Sequence, residues 1–184
     1  MKIVLFGDSI RQLGYGNKVE EELRKYGYDV FQPEDNCRFA KYTLRMIFDY
    51  KEQIKDANII HFNVGHWDLC NINEDGENFS TLEEYEMNIR RILKAFFKIT
   101  PKVIFAMTTP VRENHPYNSN DDIVLYNKKA IEIMNEYGVK VNDLYSLLKD
   151  DVNRYIREDD LIHLTDEGIN KCAKQVVKSI KEIM

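Results

Sequence analysis

The chain has 184 residues, 43% of them apolar and 31% charged, a balance that supports a packed core and excludes a disordered or low-complexity polypeptide. Its formal charge of -5 offers no basic field for a nucleic-acid backbone, and neither a G-x-G-x-x-G nor a Walker A sequence is present for a nucleotide. Length and the absence of any linker indicate a single domain, residues 1–184. With no apolar run approaching the roughly 18 residues of a membrane span and no leader pattern ahead of Lys2, the expectation is a cytoplasmic protein with no membrane or nucleic-acid partner. Cys37, Cys70 and Cys172 are odd in number and widely spaced, which reads as free thiols rather than a disulfide framework or a C-x-x-C metal site.

In chain order, the first element is the strand "KIVLFG" from Lys2, which stops at Gly7, Asp8 and Ser9. A weaker strand, "YDVFQP" from Tyr28, is halted by Pro33. "ANIIHFNVG" from Ala57, "KVIFAMTTP" from Lys102 and "GVKVND" from Gly138 complete five β-branched or aromatic runs. Helical periodicity separates them, as in Leu82, Tyr85, Ile89, Ile92, Leu93 and Phe96, which form one apolar stripe. A last helix is expected from Thr165 or Asp166 towards Met184. Continuous apolar strands are buried on both faces, as parallel strands with crossover helices are. The expectation is a three-layer α/β/α, flavodoxin-like domain with a five-stranded parallel sheet in the order 2-1-3-4-5, the order coming from analogy with that fold. The irregular stretches Cys70 to Ser80 and Val111 to Asn120 directly follow strands, at the carboxyl edge where such folds bind ligands.

Ser9, delivered to that edge and followed by Gly14, Gly16 and a helix, is well placed for a nucleophile, but a serine needs a general base and an orienting acid. Of the four histidines, His61 lies within the third strand and His115 in a loop without a fixed acidic partner. His163, in "REDDLIHLTDEG", has Asp160 three residues before it. In a tight turn that spacing returns a carboxylate to one ring nitrogen and leaves the other free to take a proton from Ser9. Asn78-Phe79-Ser80 matches a glycosylation sequon, a pattern common by chance.

Gly7-Asp8-Ser9 and Asp160-Leu161-Ile162-His163 resemble the first and last blocks of the SGNH, or GDSL, hydrolases, in the same order and at opposite ends of the chain. The resemblance implies a flavodoxin-like fold and ester hydrolysis without metal or cofactor, with Ser9 as nucleophile, His163 as base and Asp160 as its orienting partner. The middle blocks depart from the family. "NCRFAKYT" from Asn36 puts Lys41 where a glycine backbone N–H helps bind the oxyanion, and Gly65-His66-Trp67-Asp68 puts Trp67 where an asparagine is expected. Oxyanion donors are therefore sought among the N–H groups of Ser9 and Lys41, the Asn63 amide, the Trp67 indole and His66. Asp8, Asn36, Arg38 and His66 are candidate pocket residues; a cationic rim would favour anionic or polyhydroxylated substrates. Cys70 has no evident base and reads as packing.

The leading expectation is a serine esterase acting on a small acyl-ester substrate, removing a short group such as acetyl from a sugar or another small polar alcohol, with lipase or thioesterase action as variants. A domain of this size without a lid has little to cover a fatty chain. The alternative, motivated by Trp67, is a weakened relative serving as a glycan-binding or interaction module. A phosphate-responsive receiver on the same fold would want acidic residues after strands one and three, where this chain has Gly7-Asp8-Ser9 and Asn63-Val64-Gly65.

Overall fold

The computed structural model describes residues 1–184. The five apolar runs form β1 (Lys2–Phe6), β2 (Asp29–Phe31), β3 (Ile59–Asn63), β4 (Val103–Ala106) and β5 (Lys140–Asn142). All neighbours pair in parallel in the order β2-β1-β3-β4-β5, the order expected by analogy with the flavodoxin-like fold. Alternate residues feed two separate cores. Val4, Phe6, Ile60, Phe62, Val103 and Phe105 pack under α2 (Ala40–Asp49), α4 (Leu82–Phe96) and α5 (Asn120–Tyr137). Ile3, Leu5, Ile59 and Ile104 pack under α1 (Gly16–Arg24), α6 (Leu144–Leu148) and α8 (Asp166–Lys181). Burial on both faces is why these strands lack polar alternation. Short α3 (Lys51–Ile54) and α7 (Val152–Tyr155) complete the helices, and none is long and apolar enough to cross a membrane.

Local signals set the helix ends that matter for the site. Thr165 caps α8 by accepting the Gly168 N–H at 3.2 Å, so the last helix starts where its sequence indicates. Gly168 also lets α7 approach, since a Cβ there would sit 2.3 Å from the Tyr155 carbonyl oxygen. The β1–β3 register sets Phe6 beside Phe62 and brings the chain after β1 against Asn63 at the end of β3. The chain then turns through a π-helical segment, Ile10–Tyr15, which the sequence did not signal.

Candidate active site

Three loops and one C-terminal turn converge at the carboxyl edge of the sheet, and the turn after β1 is the most deeply anchored. Gly7 is required by close approach: a Cβ there would lie 2.1 Å from Asn63 Oδ1 and 2.7 Å from Arg11 Cβ. Asp8 Oδ1 accepts the Ile10 N–H at 2.9 Å and the Asn63 side-chain amide at 2.7 Å, while Tyr15 donates its hydroxyl to Asn63 Oδ1 at 2.7 Å. All three side chains are buried. Burial pushes the Asp8 carboxyl up to about 6, against the opposing pull of its hydrogen bonds and of Arg11. Above this network Ser9 is half-buried, and its backbone N–H has no acceptor in the protein.

Arg11 ties this turn to the loop after β2. Its guanidinium, 1% exposed, donates to the carbonyls of Pro33 (2.7 Å), Asp35 (2.9 Å) and Gly7 (3.1 Å), and the Cys37 N–H reaches the same Gly7 carbonyl at 3.0 Å. A buried cation whose two Nη groups are held by backbone dipoles, its Nε left unpaired, fixes the path into α2. The loop after β3 joins through Asp68, whose two carboxylate oxygens accept the Ala40 N–H at 3.1 and 3.0 Å. Burial pushes the Asp68 carboxyl up to about 7. That bond leaves Lys41 and Trp67 each one residue from it. Lys41 is the second residue of α2, does not have positive φ, and its N–H has no protein acceptor, so the replacement of glycine costs no donor here.

The partner of Ser9 comes from the other end of the chain. A bridge between Ile156 and Leu164, with the Arg157 N–H donating to the His163 carbonyl at 2.8 Å, closes a hairpin-like loop. Inside it, Asp160 Oδ1 accepts the N–H groups of His163 (2.9 Å) and Ile162 (3.1 Å), and Leu161 takes the left-handed conformation with φ of 64°. Asp160 Oδ2 lies 3.0 Å from His163 Nδ1, and His163 Nε2 lies 2.9 Å from Ser9 Oγ. Because a carboxylate only accepts, this pattern assigns the ring proton to Nδ1 and leaves Nε2 to accept from the serine. Burial raises the Asp160 carboxyl, but the hydrogen bonds from His163 and Ile162 outweigh it and hold the group below its ordinary value. Arg112, from the loop after β4, braces the loop: its backbone N–H donates to Leu161 O at 2.9 Å, its Nε to Ile156 O at 2.8 Å and its Nη2 to Asn153 O at 2.6 Å.

The structure thus brings Ser9, His163 and Asp160 together and redistributes the other candidates. Asp8 and His66, expected to line the pocket, are 1% and 4% exposed and lie beneath it. His66 Nε2 meets Thr109 Oγ1 at 3.1 Å, and burial pulls its imidazole down to about 3, which keeps it neutral. Asn63, expected as an oxyanion donor, is instead buried with its amide engaged by Asp8 and Tyr15, because the end of β3 packs directly behind Gly7. Trp67 is half-buried and its indole N–H has no protein acceptor. Asn36 caps its own loop by accepting the Arg38 N–H at 2.8 Å, and the exposed Arg38 lies over the Tyr42 ring. His61 is a core residue beside Asn142, burial pulling its imidazole down to about 3, and His115 Nδ1 accepts the N–H groups of Tyr117 and Asn118. Cys70 is buried with its thiol raised by burial, consistent with packing. Arg11 and Arg112 escaped the sequence reading, since an arginine whose partners are distant carbonyls has no local signature.

Fold and edge together define the class of α/β/α hydrolases that carry a serine after the first strand and a histidine before the last helix. No family model matches the chain. Two GDSL esterase/lipases of Arabidopsis thaliana are similar to it, at 25% identity over 214 residues and 26% over 209, each alignment covering 98% of this chain and 86% of the relative. Among solved structures, the acetyl xylan esterase AlAXEase superposes with a TM-score of 0.79 over 97% of this chain and 99% of its own, at 20% identity, a likeness of fold. In sequence and in fold the chain is similar to the SGNH, or GDSL-type, hydrolases.

Proposed function

We propose that the protein is a serine esterase that removes a short acyl group from a small polar alcohol, a sugar foremost, through an acyl-enzyme on Ser9. The observation that carries this reading is the unbroken chain from Asp160 through His163 to Ser9, with contacts of 3.0 and 2.9 Å. As Ser9 Oγ bonds to the ester carbon, its proton passes to His163 Nε2 and the carbonyl electron pair moves onto oxygen. Asp160 holds the ring in the productive tautomer and stabilises the imidazolium. Collapse of the intermediate expels the alkoxide, which takes the proton from Nε2; water, deprotonated by the same nitrogen, then releases the acid.

The N–H groups of Ser9 and Lys41, free of protein acceptors, are the proposed oxyanion donors, with the Trp67 indole as a third in place of the family's asparagine. A polar rim of Asn36, Arg38 and Lys41 supports a hydroxylated alcohol, as does the fold likeness to an acetyl xylan esterase. The test is labelling of the intact protein by a fluorophosphonate together with hydrolysis of p-nitrophenyl acetate. Mass gain and turnover in the wild type, both abolished in Ser9→Ala, are expected. A binding module without turnover would give neither, and that result overturns the proposal.

A further inference from the structure

Ser9 and His163 line a groove of about 440 Å³ that runs between the π-helical segment and the start of α8. Beyond the reacting pair, Ile10, Leu13, Leu164 and Ile169 form an apolar part of its lining, with Thr165 and Asp166 at the α8 end. Ile10 and Leu164 are buried, whereas Leu13 is 66% exposed. A lone exposed leucine is ordinary on a protein surface. This one continues an apolar wall that begins at the serine hydroxyl. Gly14 keeps the groove open, since a Cβ there would stand 3.3 Å from Leu164 Cδ1 and 3.9 Å from Ile169 Cγ1. The charged side chains on its lining are Arg157 and Asp166, and the Arg157 guanidinium is engaged by Asp159 and Asp160.

We infer that this groove takes the acyl chain of the scissile ester, and that the preferred acyl group is a linear aliphatic chain longer than acetyl, about four to six carbons. The inference rests on the reading of Ser9 as nucleophile. In the acyl-enzyme the chain remains bonded to Ser9 Oγ, so the surface it meets is the one that Ser9 itself lines. The groove includes neither Lys41 nor Trp67, and the rim of Asn36, Arg38 and Lys41 is left for the alcohol. Complete burial of a methylene accelerates acylation about fourfold, and a groove open on one side supplies about half of that free energy, roughly twofold per methylene.

The experiment compares kcat/KM for p-nitrophenyl acetate, butyrate, hexanoate and decanoate, which share one leaving group. A rise of about 16-fold from acetate to hexanoate, with no further gain at decanoate, is expected. Leu13→Ser, a surface change that leaves the core intact, lowers the hexanoate-to-acetate ratio about fivefold, and Gly14→Ala moves the preference towards the shorter esters. Phe48→Ser removes an exposed aromatic side chain outside the groove and leaves the ratio unchanged. Preference for acetate throughout, or a ratio indifferent to Leu13→Ser, overturns the inference. So does a series of alkyl acetates in which the same two variants change selectivity for the alcohol instead. Fluorophosphonate labelling of Ser9 with a flat chain-length profile sinks this inference alone, whereas absence of labelling sinks the esterase reading with it.

Discussion

Ser9 and His163 meet at 2.9 Å, yet the two turns that deliver them are held in opposite ways. The turn after β1 stands on buried polar groups: Asp8, Asn63, Tyr15 and Arg11 are each at most 4% exposed, and each is bonded to residues distant in sequence. The loop that carries Asp160 and His163 is a surface feature, with Arg157, Glu158 and Asp159 exposed and the functional pair half-buried. Its bonds are mostly local, from an aspartate to N–H groups two and three residues on. Ser9, the proposed nucleophile, therefore inherits its position from the core, whereas His163, the proposed base, depends on a short stretch of chain and one external brace. Damage to the first turn should register as lost stability. Damage to the second should register as lost turnover in a protein that remains folded.

The sharpest contrast comes from one substitution in each turn. Asp160→Asn keeps an oxygen for the backbone N–H groups but loses the carboxylate that fixes the Nδ1 tautomer. A fall in kcat of about 10³- to 10⁴-fold is expected, with a thermal midpoint close to that of the wild type. Gly7→Ala drives a methyl group into Asn63 Oδ1 and Arg11 Cβ, so a loss of about 3 kcal/mol in chemical denaturation is expected before any kinetic effect is considered. If Asp160→Asn unfolded the protein, or Gly7→Ala left its stability intact, the division between the two turns would be wrong.

The buried half of the site has a pH signature of its own. Asp68 is pushed up to about 7, so folding favours its neutral form; its stabilising contribution is full below the ordinary carboxyl pKa near 3.8 and is lost as pH rises through 7. Asp8, pushed up to about 6, behaves likewise, while His61 and His66, pulled down to about 3, lose their contribution as pH falls below 6.5. These opposing groups mask one another in the wild-type curve. Subtracting the wild type from Asp68→Asn isolates the one carboxyl: the variant should gain stability relative to the wild type between pH 4 and 8, by a few kcal/mol. A pH-independent difference in urea melts would mean that Asp68 is not buried as described.

The same division explains what could be read from the sequence. The strands were legible because burial on both faces writes an unbroken apolar run, as in Ile59 to Phe62, and the pairing of Asp160 with His163 was legible because it is a contact within one turn. Thr165 marked the start of α8 for the same local reason. Asp8 and His66 were misplaced because a polar side chain next to a functional residue looks the same in sequence whether it faces solvent or the underside of the site. Asn63 reads as an available amide until the packing of β3 behind Gly7 shows its partners. Arg11 and Arg112 bond to carbonyls at sequence separations of up to 24 and 44 residues, and a carbonyl carries no residue identity to search for.

Arg112 offers the finest test of how His163, the proposed base, is held. It spans the gap between the loop after β4 and the exposed loop of His163, and its fork reaches two carbonyls that a single ammonium cannot satisfy together. Arg112→Ala leaves the Arg112 N–H to Leu161 O bond in place, so the loop should persist but sample wider positions. Because small misplacements of a catalytic group are costly, kcat is expected to fall about 10- to 30-fold while KM changes less than about twofold. Arg112→Lys should recover part of the loss, as should added guanidinium in the alanine variant. The proton between His163 Nδ1 and Asp160 provides the independent readout, since its far-downfield NMR resonance should broaden in Arg112→Ala and sharpen on rescue. Unchanged turnover and an unchanged resonance would mean that the local Asp160 turn suffices to hold the base, and that the bond to Arg112 is incidental.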